Sequence, residues 1–194
     1  VQLWDVSVQK QIEVSGNDSY KLIQLMTCRD LSGAKVLKCY YVPLVDGNGN
    51  MINDPLILKV EDLKWRICIA DSDVLLYAKG IADTMNLNVK IHETNISTLA
   101  VQGPKSLDVM NKVFGEEINK LKFFNFNYFK FEDADFMISK SGFSKQSGYE
   151  IYIENSNSGL KLYDHIIKIG NEFNLKPGCP NVIERIEGAL LSYG

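Results

Sequence analysis

The residues of this chain best suited to chemistry are carboxylates and aromatic side chains in two short strand patterns. In SGFSKQSGYEIYIEN, residues 141 to 155, a Ser/Gly/Lys/Gln turn leads into an alternation. Tyr149, Ile151 and Ile153 face one way, Glu150 and Tyr152 the other. A carboxylate beside a phenol can hold a polar ligand, or both can be solvated, since antiparallel sheets often leave one face wet. In GNMINDPLI the same alternation sets Asp54 on the face of Ile52, Leu56 and Leu58. Asp is almost never fully buried without a partner, so Asp54 either lines a polar pocket or caps a bulged turn. Pro55 biases Asp54 toward extended geometry and removes a ladder donor. On the partner strand, Tyr41 shares a face with Cys39 and Pro43. It and Phe143, in the turn before Glu150, have core or rim packing as their ordinary role.

The bulk composition narrows what these residues could act on. With 45% hydrophobic and 23% charged residues in 194, the chain can build a real core, and no apolar run approaches the ~20 residues of a membrane span. The net charge is -3 with lysines scattered among acids, which argues against nucleic acid and for a small molecule. Cys28, Cys39, Cys68 and Cys179 form no CxxC pair, and only His92 and His165 could join them, so no zinc site is expected. The cysteines are expected to pack as small hydrophobes, and a reducing cytoplasm is the expected location. His165 reads as a helix-surface residue and His92 as an edge-strand residue. Neither suggests a Ser-His-Asp or Cys-His arrangement.

The elements that must position these groups can be read in order. A strand pattern runs from about 1 to 14, and the turn at 15 to 18 starts a helix reaching about 29. Strands at about 37–45 and 51–59 flank the DGNGN hairpin loop. WRICIA is a strand, and the next helix is capped by Asp71 or Ser72. LNVKIHE and STLAVQ are strands, PKSLDVMNKVFG is a helix with Pro104 in its first turn, and two strands span about 121–140. Two helices, GLKLYDHIIKIGNEF and NVIERIEGALLSY, follow the Glu150 strand. The order lacks strict βαβ alternation, so an α+β arrangement of two mixed subdomains is expected, 1-96 and 97-194. The ends, VQLWDVSVQ and LLSYG, read as those of an internal fragment.

Four segments, in order, resemble the folate-dependent aminomethyltransferase (glycine cleavage T-protein) family. GNMINDPLI resembles its G-G-x-x-D-D-L-I, LAVQGPKS its A-L-Q-G-P-x-A, SGFSKQSGYEIY its T-G-Y-T-G-E-D-G-F-E-I-Y, and IERIEGALLSYG its S-L-R-L-E-A-G-M-x-L-Y-G. VQLWDVSVQ, LMTCRDLS, IADSD, LKFF and PGCPNVIERIE are similar to the dimethylsulfoniopropionate demethylase branch. Gln146 stands where the T-protein has a glutamate, Asn53 where it has the first of two aspartates, and Phe143 where the branch usually has Trp.

The resemblance implies the T-protein folate-binding fold, without the N-terminal segment and the C-terminal β-domain of that family. It implies tetrahydrofolate as cofactor, bound by Glu150, Tyr152 and Arg185, with Glu187 near Arg185 in a supporting role. A small-molecule sulfonium substrate would be held by Tyr41, Phe143 and Tyr152, and Asp54 would be the catalytic carboxylate. It leaves room for a homo-oligomer and implies neither nucleic acid nor membrane as partner. Two alternatives stay open: glycine-cleavage aminomethyl transfer, and a non-catalytic folate-binding protein of iron–sulfur assembly. The latter carries a reactive Cys in its K-G-C-x-x-G-Q-E turn, which SGFSKQSG lacks.

Overall fold

The computed structural model describes residues 1–69 and 73–190. In chain order the elements are β1 (Gln2–Asp5), β2 (Lys10–Ser15), α1 (Ser19–Leu25), β3 (Lys38–Tyr41), β4 (Leu44–Val45), β5 (Met51–Asn53), β6 (Leu56–Glu61) and β7 (Lys64–Ile69). There follow α2 (Val74–Thr84), β8 (Lys90–Glu93), β9 (Ser97–Gln102), α3 (Ser106–Phe114), β10 (Phe126–Phe131), β11 (Ala134–Ser139), β12 (Gly148–Ile153), α4 (Ser156–Gly170), β13 (Lys176–Gly178) and α5 (Val182–Glu187). The α+β expectation holds.

Two compact units form: one from the middle of the sequence, Val8–Asn95, called central, and one from the two stretches that flank it in the sequence, called flanking, which among the described residues joins Val1–Ser7 to residues 96–190. The expected division, 1-96 and 97-194, gave the first strand to the wrong unit. Gln2 to Asp5 pair antiparallel with Gln102 to Leu99, and Gln2 also lies beside Lys176 in the parallel β1–β13 pair. Strand pairing across about a hundred residues leaves no local signal. The pattern read as one strand to Val14 is two, β1 and β2, parted by a turn in which Asp5 Oδ1 accepts from the Ser7 amide at 3.0 Å.

In the central unit a five-stranded antiparallel sheet, ordered β3-β6-β7-β2-β8, is packed by α1 and α2 on one face. Alternation sends Ile12, Val14, Ile57, Trp65 and Ile67 into that core, each fully buried and each worth about 1.5–3 kcal/mol by burial. The opposite face carries Gln11, Cys39, Leu58, Arg66 and Cys68. There Gln11 Oε1 accepts from Cys68 Sγ at 3.0 Å, and Arg66 lies 3.8 Å from Glu13. The helix cap expected at Asp71 or Ser72 lies outside the described residues, and α2 begins after Asp73.

In the flanking unit the six-stranded sheet runs β10-β11-β12-β9-β1-β13, and α3 and α4 cover one face. Leu99, Val101, Ile138, Tyr149, Ile151 and Ile153 point into this helical core. Asn155 caps α4 by accepting the Ser158 amide at 3.1 Å, and Asn181 caps α5 by accepting the Ile183 amide at 2.9 Å. α5 is shorter than its sequence pattern, ending at Glu187, and the last four residues lie outside the described set. Two cysteines depart from expectation. Cys39 is buried and Cys68 partly so, but Cys28 and Cys179 are exposed. Among the described residues no helix is long and apolar enough to cross a membrane, and no cluster of His, Cys, Asp and Glu could hold a metal ion.

Candidate functional site

In the flanking unit the face of the sheet turned away from its helices carries the chemistry. Register sets Ser139, Glu150, Ala100 and Trp4 abreast across β11, β12, β9 and β1, with Met137, Tyr152 and Thr98 in the next row. Glu150 is therefore not a simple solvated residue. It is partly exposed, and the Ser141 hydroxyl donates to its Oε2. Ser141 Oγ lies 2.6 Å from Ser139 Oγ, which lies 3.2 Å from the Tyr152 hydroxyl. Ser139, Ser141 and Tyr152 are all buried. Burial pushes the Glu150 carboxyl above the usual carboxylate range, and hydrogen bonds from Ser141, Ser139 and Tyr152 oppose that rise.

Phe143 packs on the same face, against the cluster of Trp4, Val6 and Ala100. The Arg185 guanidinium, 8% exposed, sits 4.5 Å from its ring centroid. One face of Phe143 thus already meets a cation. Glu187 is exposed, as is Lys145.

The turn bearing Ser141 and Phe143 is held by a residue that the sequence reading passed over. Gln102, 2% exposed at the end of β9, lies between Gly142 and Gly148. A Cβ at either glycine would meet its amide at 2.2 and 2.3 Å. Its Oε1 accepts from the Ser144 hydroxyl at 2.7 Å. The signal available was a glutamine closing the apolar run STLAV, together with glycines on both sides of the turn. Ser139 could not be found that way, because its place beside Glu150 comes from the β11–β12 register. A cleft of about 120 Å³ adjoins this turn, lined by Trp4, Gln102, Ser144, Gln146 and Glu184 among others.

In the central unit the predicted pair meets: the Tyr41 hydroxyl donates to Asp54 Oδ2 at 2.9 Å. Both are partly buried. The alternation argument for Asp54 needs correction, because the strand breaks at Asp54-Pro55, between β5 and β6. Ile52 packs toward the helical core, whereas Leu56 lies opposite Tyr41. Asp54 is not the hairpin cap either. Asp46 does that work, accepting the amides of Asn48 and Asn50 at 2.8 and 2.9 Å, with Gly49 at φ +83°. The break is pinned: the Val42 amide donates to the Pro55 carbonyl at 3.0 Å, the Thr27 hydroxyl to the Pro43 carbonyl at 2.7 Å, and Arg29 to the Tyr41 carbonyl. A separate apolar groove of about 570 Å³, lined by Leu25, Leu76, Tyr77, Ile81 and Met85 among others, includes none of the predicted residues.

Each unit thus presents a carboxylate supported by a phenol. In one, the Ser141 hydroxyl, backed by Ser139 and Tyr152, loads a single oxygen of Glu150, a geometry suited to a flat ligand with paired N–H donors. In the other, Asp54 with Tyr41 can offset positive charge.

The comparisons agree with that reading of the fold. The chain is 41% identical over all 194 residues to the dimethylsulfoniopropionate demethylase of Ruegeria pomeroyi, covering 53% of that protein. It is 31% identical to an aminomethyltransferase of Bacillus cytotoxicus, covering 99% of this chain and 54% of that one. The chain spans about half the length of the curated relatives it matches. Among solved structures, the glycine cleavage aminomethyltransferase T of Bartonella henselae superposes with a TM-score of 0.77 at 18% identity, over 91% of this chain and 47% of that one. The heterotetrameric sarcosine oxidase of Corynebacterium sp. U-96 superposes with a TM-score of 0.61 at 12% identity, over 99% of this chain and 87% of that one. The family model described as the GCVT N-terminal domain matches residues 1–194, and the chain belongs to that family, that of the glycine cleavage T-protein.

Proposed function

We propose that this chain is the folate-binding region of a methyltransferase that moves a methyl group from dimethylsulfoniopropionate to tetrahydrofolate. The products are methylmercaptopropionate and 5-methyltetrahydrofolate. The observation that carries the reading is Glu150, a sheltered carboxylate with one oxygen engaged by Ser141, on a face shared with Tyr152 and Phe143. Identity of 41% to the demethylase, against 31% to the aminomethyltransferase, supports the choice of donor.

The residues fit a pterin. Glu150 offers acceptor oxygens to the amino group and ring N–H, Tyr152 lines the same face, and Arg185 lies against Phe143. Tetrahydrofolate, when bound, supplies N5 as the methyl acceptor. A sulfonium leaves as a neutral thioether, so the protein needs no nucleophile of its own. Its tasks are to align the partners and to stabilise moving charge. Asp54, its carboxylate bonded by the Tyr41 hydroxyl, is the group assigned to offset the positive charge that arises as the methyl group transfers and to accept the proton released. Phe143 and Tyr152 on one unit, and Tyr41 on the other, are the rings assigned to cation–π attraction of the sulfonium, about 0.5 to 2 kcal/mol per ring. A cytoplasmic location accords with folate chemistry.

The test is to supply the full-length protein with dimethylsulfoniopropionate, with and without tetrahydrofolate. Consumption that depends on folate supports the proposal. Folate binding with transfer only from an aminomethyl-lipoyl donor would favour the aminomethyltransferase reading instead, which the relatives at 31% identity represent.

A further inference from the structure

We propose that Ser141 is a positioning residue for folate recognition: backed by Ser139 and Tyr152, its hydroxyl fixes Glu150 in the rotamer and charge state that accept the pterin's donors. This rests on the reading of Glu150 as the pterin ligand.

The argument begins with the order of hydroxyls. Tyr152, Ser139 and Ser141 form a line, at 3.2 Å and 2.6 Å, that ends on Glu150 Oε2. A carboxylate only accepts, so the last hydroxyl must donate, and each hydroxyl behind it is then free to donate to the next. All three protons lean toward the carboxylate. Ser139 and Tyr152 sit on β11 and β12, two positions apart in register and on the same face, and both are buried. Ser141 sits in the turn whose backbone closes around Gln102.

The consequence is selective. Glu150 Oε2 is satisfied from inside the protein, so the side chain does not turn inward for partners, and its remaining acceptor capacity faces the ligand. The relay also opposes the effect of burial, which favours the neutral acid. A protonated Glu150 would present a donor to the pterin's own donors. The strands packed beside Glu150 present Ser139 from β11 and Ala100 from β9, and the groups that shift its titration are Ser141, Ser139 and Tyr152, with no charged side chain among them. Hydroxyls alone therefore oppose the rise that burial imposes on the carboxyl.

The experiment compares wild type, Ser141→Ala, Ser141→Thr and Glu150→Gln in the full-length protein. Two quantities are read: tetrahydrofolate affinity against pH, and the Glu150 titration midpoint in unliganded protein from carboxyl carbon NMR. Ser141→Ala should weaken folate binding at neutral pH by about tenfold or more, the loss of one hydrogen bond to a charged group. It should move the Glu150 midpoint, and the acid limb of the affinity profile, to higher pH. Ser141→Thr keeps the hydroxyl and should restore both. A merely structural role would lower melting temperature without moving the midpoint. An unchanged midpoint in Ser141→Ala overturns the proposal. If wild type binds no folate, or Glu150→Gln binds as well as wild type, it is the assignment of Glu150 to the pterin that fails; the midpoint still decides whether Ser141 controls the carboxylate.

Discussion

Adding one methyl group at Gly148 should destabilise the flanking unit, and the amount can be worked from the turn around Gln102. A Cβ at Gly148 would lie 2.3 Å from Gln102 Nε2 and 2.5 Å from Cδ and Oε1, about 1 Å inside ordinary van der Waals contact. A side-chain end normally yields to such a clash. Gln102 cannot, because it is 2% exposed, has Gly142 equally close on its other side and is bonded to Ser144 at 2.7 Å. Overpacking of this kind costs about 1–3 kcal/mol, and losing the Ser144 bond adds about 1 kcal/mol. For a unit of roughly a hundred residues that predicts a melting temperature lower by about 10 °C or more. The assay is urea unfolding of wild type, Gly148→Ala, Gln102→Ala and the double variant. Truncating Gln102 should relieve the clash, giving a coupling of at least about 1 kcal/mol between the two changes. Additive effects, or a Gly148→Ala variant within about 0.5 kcal/mol of wild type, would refute the claim that Gln102 is clamped.

Asp54→Asn should leave folate binding and melting temperature near wild type and lower kcat by about 10²-fold or more, as single-turnover kinetics on the full-length protein would show. Asp46→Ala, at the true hairpin cap, should do the reverse, lowering melting temperature while kcat per folded molecule holds. Because burial raises the Glu150 carboxyl in the folded state, its stabilising contribution is present at acid pH and is lost as pH rises through the raised folded value. Glu150→Gln should therefore gain stability relative to wild type as pH rises above the ordinary glutamate value of about 4.3 in denaturant titrations, and a constant difference would contradict the assignment. Phe143→Trp should lower KM for the sulfonium several-fold at unchanged kcat, Trp being the stronger cation–π partner, and an unchanged KM would remove the ring from substrate binding.

What the sequence made legible was local. Alternation in GYEIYI placed Tyr149, Ile151 and Ile153 in the core and Glu150 with Tyr152 on the other face, as found, because a period of two survives wherever one face is buried. It misled at Asp54, where Pro55 interrupts the strand and resets the faces. The Tyr41–Asp54 contact was foreshadowed by the hairpin, whose loop brings the two strands back together. Long-range pairing was not legible. Nothing in QLWD says that it joins β9 and β13, and nothing in ADFMIS says that Ser139 will stand beside Glu150. Gln102 looked like the end of a strand, and only the approach of Gly142 and Gly148 gives it a task.

The central claim is methyl transfer, and following the methyl carbon tests it most directly. Dimethylsulfoniopropionate labelled with ¹³C in its S-methyl groups would be mixed with the full-length protein and one equivalent of tetrahydrofolate, and the carbon resonances followed in time. The account predicts that each turnover removes two labelled sulfonium-methyl carbons, one reappearing as an N5-methyl signal on folate and the other as the thioether S-methyl signal of methylmercaptopropionate, the two product signals growing one for one, with Asp54→Asn slowing the transfer and Glu150→Gln raising the folate concentration it needs. An S-methyl signal that stays constant while folate is bound would contradict it.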